Sequence, residues 1–165
     1  SELINSLEPM DTVKWDNEEK TLSILSKMSV VNRAKVQAAQ NLGCATVGAL
    51  FMRTRHFEGI KRVFAEVRFD GISGCLRTPN GGSSRQSILW VNGEKILSRL
   101  LTPRETARLM GLPETYKLPK NNNAALHLTG DGVVVPVVEH LKNYLLEPLI
   151  RNFDSYNLSK QYMSA

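Results

Sequence analysis

Arg53 and Arg55 in the string MRTR are two positions apart, so on an extended strand both guanidinium groups project to the same side. A guanidinium stays charged at any working pH and offers donors in a fixed fork, which suits phosphate or carbonyl oxygens. The alternative is a basic strand end in solvent. A second group lies in RTPNGGSSRQ, where Arg77, Thr78, Gly81, Gly82, Ser83, Ser84, Arg85 and Gln86 fall within ten residues. Its glycines let a backbone come close to another molecule, which a β-carbon would block. Arginine has the geometry for guanine edges or phosphates, glutamine for adenine, and the hydroxyls for phosphate oxygens. The alternative is a solvated turn. Cys44, in LGCATV, and Cys75, in SGCLRT, have neither disulfide nor metal-ligand spacing, and His56, His127 and His140 do not complete a metal set. Both cysteines read as packed or loop thiols, not nucleophiles.

Charge points the same way. The chain of 165 residues carries a net +5. Between Arg53 and Arg104 there are ten Lys and Arg against four acids, whereas the remainder holds eleven basic and twelve acidic residues. All of the excess therefore lies in the middle third, and a segment like this suits a polyanion such as a nucleic acid backbone. A hydrophobic content of 42% is ordinary for a globular chain. No apolar run reaches the roughly 20 residues of a membrane helix, and the N-terminal stretch SELINSLEPMDTVKW lacks the basic and apolar regions of an export signal. The expectation is no membrane partner and a cytoplasmic location.

The elements that must position these groups follow from local patterns. Residues 16–28 begin with a cap-like Asp16 and place Leu22, Leu25 and Met28 at helical spacing. Ser29 to Gly43 repeats the signature, with Val31, Ala34, Ala38 and Leu42 along one side. ATVGALF reads as a buried strand that needs sheet neighbours from the β-like middle, RVFAEVRF and SILWV, or from another polypeptide. WVNGEK contains an Asn-Gly hairpin signal. In LLTPRETARLMGLPETY, Thr102 and Glu105 have capping-box spacing, Pro103 fits the first helical position, and Gly111 with Pro113 ends the helix. LPKNNNAALHLTGDG reads as a polar connection, and VVVPVVEHLKNYLLEPL as a helix with Val134, Val137, Val138, Leu141 and Leu145 on one face. The class is α+β.

Four segments in order resemble the C-terminal part of a DNA cytosine-5 methyltransferase. RLLTPRETARLMGLPETYKL resembles that family's ninth motif, GDGVVVPVV the tenth, and VGALFMRTR the eighth. DGISGCLRTPNGGSSRQ resembles the glycine-rich part of its target recognition domain. The resemblance implies a methyltransferase of the kind found in restriction-modification systems. It also implies N-terminal helices and a strand (45–53) at the edge of a catalytic domain over 1–56. A small β-rich recognition lobe with the ninth motif would span 57–118, a helix returning to the catalytic domain 119–150, and a loose tail 151–165.

In that family a cysteine thiolate adds to carbon six of a flipped cytosine, and carbon five takes a methyl group from S-adenosylmethionine. The implied phenylalanine-x-glycine-x-glycine loop, proline-cysteine nucleophile and glutamate-asparagine-valine motif do not occur in the 165 residues. An N-terminal half or subunit is therefore expected to supply them. By resemblance Arg55 bonds the cytosine O2, Arg53 braces the pocket or a phosphate, and residues 77–86 lie in the major groove of double-stranded DNA. Asp131, Gly132 and Val133 border S-adenosylmethionine, although a helix-start cap explains Asp131 equally well. Arg104, Glu105 and Arg108 organise the recognition lobe. Without its other half the piece is expected to expose an apolar face on 45–51 and 133–147 and to self-associate. The competing reading is a non-enzymatic DNA-binding module or degenerate remnant.

Overall fold

The computed structural model describes residues 3–57, 59–78 and 85–152. They form two compact units that divide between Gly132 and Val133.

The first unit is built on a four-stranded sheet in the order β2-β1-β3-β4. Its strands are β1 (Thr46–Phe57), β2 (Ile60–Arg68), β3 (Ser87–Asn92) and β4 (Lys95–Leu100), and all three pairings are antiparallel. The β-rich middle of the same chain therefore supplies both neighbours of β1. Val47, Ala49 and Leu50 are buried, so the apolar face expected on 45–51 is covered by the chain itself. The boundary expected at 56/57 falls at the tip of the β1–β2 hairpin, inside one sheet whose pairing runs from Ala49↔Arg68 to Phe57↔Ile60. The Asn-Gly signal does make a hairpin, with Asn92 opposite Lys95 and Gly93 at φ +55°.

Strand alternation gives the sheet two faces. On one, Leu50, Ala65, Val67, Leu89 and Val91 pack with Ile24 and Met28 near α1 (Glu18–Ser26) and with Val36 and Ala39 on α2 (Val30–Asn41). On the other, Val47, Ala49 and Ile88 pack with Leu3 and Leu101, and with the half-buried Trp15 and Trp90. Fully burying one such aliphatic side chain contributes about 1.5–3 kcal/mol, so these two layers dominate the unit's stability.

The helices differ from the sequence expectation in phase. On α1 the buried positions are Thr21 and Ile24, with Leu22 exposed, and Asn17, not Asp16, is the N-cap. On α2 Asn32, Val36 and Ala39 are buried, while Val31 and Leu42 face solvent. A tertiary hydrogen bond accounts for the α2 register. Asn32 Oδ1 accepts from Val67 N at 3.1 Å and Lys35 Nζ donates to Val67 O at 3.2 Å, so α2 satisfies the open edge of β2.

Helix α3 (Pro103–Leu109) starts with both capping-box bonds, Glu105 N to Thr102 Oγ1 at 3.2 Å and Thr102 N to Glu105 Oε2 at 2.8 Å. Gly111 leaves it at φ +77°. The expected polar connection is instead a helix, α4 (Asn122–Asp131). Asn121 caps it, and Ala125, Leu126 and Thr129 form a buried stripe that includes a 3.1 Å bond from Thr129 Oγ1 to Thr106 Oγ1 on α3. The second unit contains α5 (Val135–Leu141), with Pro136 in its first turn, and a π-helical turn at Lys142–Leu146. Val134, Val137, Val138, Leu141 and Leu145 are all exposed, as expected for that face.

Candidate nucleic-acid interface

Cross-strand pairing places Phe51 opposite Glu66, Arg53 opposite Phe64 and Arg55 opposite Arg62, so these six side chains share one face of the β1–β2 arm. Arg53 and Arg55 do project together. Their side chains are 57% and 61% exposed, and both are tied to a single carboxylate. Arg53 Nε lies 2.7 Å from Glu66 Oε2 and Arg55 Nη2 lies 2.8 Å from Glu66 Oε1. The Arg53 guanidinium also sits 5.9 Å from the Phe51 ring centroid.

Beside this face lies an open cavity of about 770 Å3, whose lining includes Arg53, Glu66, Arg68, Cys75, Arg77 and Gln86. The sheet and the loop after β2 therefore bring together Arg53, Arg77 and Gln86, three residues expected at the site. Gln86 donates from Nε2 to Cys75 O at 3.0 Å, which fixes its amide at the cavity wall. Arg68 is paired with Asp70, whose carboxyl is held below its ordinary range by the hydrogen bond from that guanidinium. Arg85 turns elsewhere, donating to Asn123 Oδ1 at the start of α4. Thr78 is half-buried against α4, whereas Gly81, Gly82, Ser83 and Ser84 lie outside the described residues.

Contact with α4 fixes the loop. A β-carbon on Gly130 would meet Thr78 N at 2.5 Å and Arg77 C at 2.6 Å, so only glycine allows this approach. Gly74 is confined by side chains instead, with Gln86 Oε1 and the Phe51 ring each 2.4 Å from its β-carbon position. Helix α4 is held to α3 by the two threonines, and α3 to the sheet by a buried ion pair. Arg99 Nη1 and Nη2 donate to Glu105 Oε2 and Oε1 at 2.7 and 2.6 Å, with exposures of 2% and 0%. Glu105 also accepts from Glu8 N at 2.8 Å, and Trp15 lies 4.8 Å from the Arg99 guanidinium. Arg108 grips Glu114 and donates to Ser6 O at 3.2 Å, while Arg104 donates to Tyr116 O at 3.0 Å. All three of Arg104, Glu105 and Arg108 are thus engaged in the frame.

Asp131, Gly132 and Val133 are exposed where one unit ends and the next begins. Asp131 is the last residue of α4, and Val134, which has no capping side chain, precedes α5, so a helix-start cap does not explain Asp131. A carboxylate at a helix C-terminus opposes the dipole and costs a few tenths of a kcal/mol, so local helix stability does not favour it there. Among the described residues no group of three His, Cys, Asp or Glu side chains comes together to hold a metal ion.

Sequence reasoning missed Gly130, Glu66, Arg62 and Arg68 as parts of this region. Arg62, Glu66 and Arg68 alternate on β2 in the same period of two as Arg53 and Arg55, which is the signal that would have found them. Gly130 has no local signal, because its role depends on a segment some 50 residues away.

The family model for C-5 cytosine-specific DNA methylase matches residues 7–147. Among curated proteins, the type II methyltransferase M.HpaII of Haemophilus parainfluenzae is 39% identical over 64 residues, 39% of this chain and 17% of that protein. The type II methyltransferase M1.ScrFI of Lactococcus lactis subsp. cremoris is 39% identical over 51 residues, 31% of this chain and 13% of that protein. The tRNA (cytosine(38)-C(5))-methyltransferase of Schizosaccharomyces pombe is 44% identical over 54 residues, 31% of this chain and 16% of that protein. The chain thus matches less than a fifth of the length of each of these relatives. No solved structure matches it significantly. With a match that spans residues 7–147, the chain belongs to the C-5 cytosine-specific DNA methylase family.

Proposed function

We propose that this chain is the DNA-recognition and base-supporting part of a DNA cytosine-5 methyltransferase and acts with an N-terminal catalytic portion that carries the proline-cysteine nucleophile. The observation that carries this reading is the convergence of Arg53, Arg77 and Gln86 on one open cavity at the edge of a positively charged sheet face. Arg77 and Gln86 supply base-edge donors and acceptors to the major groove. Arg55 donates to O2 of the extruded cytosine and Arg53 braces it, which requires both to leave Glu66. The duplex must open here because the reacting face of the base is otherwise stacked.

S-adenosylmethionine, when bound, supplies an electrophilic methyl group. Asp131 suits its ammonium and hydroxyl donors, since its exposed carboxylate has no hydrogen-bond partner among the described residues. Gly132 and Val133 complete the proposed cofactor-binding segment.

Titration of the full chain into labelled duplex DNA tests the recognition role. We expect binding that weakens steeply with salt, and a loss of about 10-fold or more for Arg77→Ala, on the order of one good base contact. Duplex RNA serves as the comparison, because one relative is a tRNA methyltransferase. Absence of duplex DNA binding at low salt, or preference for RNA, would overturn the reading.

A further inference from the structure

Glu66 is the one acid among the side chains that pairing of β1 with β2 places on the arginine-bearing face, and it holds two arginines at once. We infer that Glu66 is a latch: in the DNA-free protein it holds Arg53 and Arg55 and offsets one of their two charges, and duplex phosphates or bases take both guanidinium groups from it on binding. This inference rests on the DNA-recognition reading and adds a specificity-determining residue to it.

Three observations carry it. Both pairs are short, at 2.7 and 2.8 Å, yet all three side chains are accessible, at 57%, 61% and 30%, so solvent-exposed oxygens of a ligand can compete for the arginines. Exposed pairs of this kind are weak enough to exchange. The latch also sits where it matters, since Glu66 and Arg53 line the same cavity as Arg77 and Gln86. Finally, Arg55 faces Arg62 directly across the strands, a like-charge juxtaposition that an incoming anion would relieve. Arg68 repeats the arrangement with Asp70 at the cavity rim, whereas Arg77 has no acidic partner among the described residues.

The chemistry sets a threshold. A polyanion must offer enough correctly placed oxygens to replace a carboxylate that already satisfies both arginines, which penalises loose, non-specific contacts. Glu66→Gln keeps the shape and removes the charge. It should tighten binding of random-sequence duplex DNA about 3- to 10-fold at low salt. It should also steepen the dependence of log K on log salt by up to about 1.8, the slope of two phosphate contacts that random-sequence DNA leaves unmade while Glu66 holds both arginines.

A double-mutant cycle separates the latch from a fold effect. In the Arg53→Gln/Arg55→Gln background, Glu66→Gln should change neither affinity nor slope, and far-ultraviolet circular dichroism of each variant reports its folding. Unchanged or weaker binding by folded Glu66→Gln, with the wild-type slope, overturns the latch while leaving the recognition reading intact. Equal tightening in the double background also overturns it. Failure of both wild type and Glu66→Gln to bind duplex DNA contradicts the recognition reading, and the latch falls with it.

Discussion

Gly130 on α4 lies directly against Thr78 in the loop that carries Arg77, with the position of a missing β-carbon 2.5 Å from the Thr78 nitrogen. The obstacle is backbone, so it cannot swing aside as a side chain could. In a helix interior alanine is better than glycine by about 1 kcal/mol. Overpacking against a fixed backbone costs about 1–3 kcal/mol. The clash therefore wins, and Gly130→Ala should displace residues 77–78. Chemical denaturation should show a small net loss of stability, and DNA titration a fall in affinity of about 10-fold. A stabilised variant with wild-type affinity would contradict the positioning role.

The buried Arg99–Glu105 pair welds α3 to β4, and its second carboxylate contacts reach Thr102 N and Glu8 N. Removing one partner leaves an uncompensated charge or unpaired donors inside, so Glu105→Ala should cost about 3–5 kcal/mol. Replacing both residues with apolar ones of similar volume, Arg99→Met with Glu105→Leu, should recover a large part of that cost. Urea unfolding of the single and double variants measures both. Equal losses in the two would show that the capping bonds, not the burial of a lone charge, set the effect.

Glu114 gives a pH prediction. The hydrogen bond from Arg108 holds its carboxyl below the ordinary glutamate range. A carboxyl whose folded value is depressed contributes stability that is complete above its unfolded value and is lost as pH falls through the folded one. Wild type should therefore melt above Glu114→Gln near neutrality, and the gap should close as the pH drops below the ordinary glutamate range. The pair is exposed, so the gap itself should be small. A gap that stays constant into strong acid would show that the carboxylate charge is not its source.

What the sequence made legible was local. The capping box of α3 needs only Thr102, Glu105 and their spacing, and it stands as read. The apolar run ATVGALF marks β1, which runs on to Phe57, the β-like pieces RVFAEVRF and SILWV mark β2 and β3, and Asn92-Gly93 marks the hairpin. Helix α4 was hidden because its sequence, NNAALHLTGD, is mostly small and polar and is helical through burial of Ala125, Leu126 and Thr129. Asn32 on the buried side of α2 was hidden for the same reason, since its partner is a strand edge 35 residues away. In the candidate site, Arg53 and Arg55 could be paired by their spacing, but Glu66 could not be joined to them without the β1–β2 register. The bond from Arg85 to Asn123 could not be read either, since the two residues lie 38 positions apart.

Methyl transfer in trans separates a methyltransferase part from a simple DNA binder. The full chain is mixed with an N-terminal portion of a C-5 cytosine methylase carrying the proline-cysteine nucleophile, and label from S-adenosylmethionine is counted in duplex DNA. Label should be incorporated only when both polypeptides are present, with strong loss for Arg55→Ala. No incorporation by such mixtures, from a chain that nevertheless binds duplex DNA, would contradict it and leave a DNA-binding module without enzymatic function.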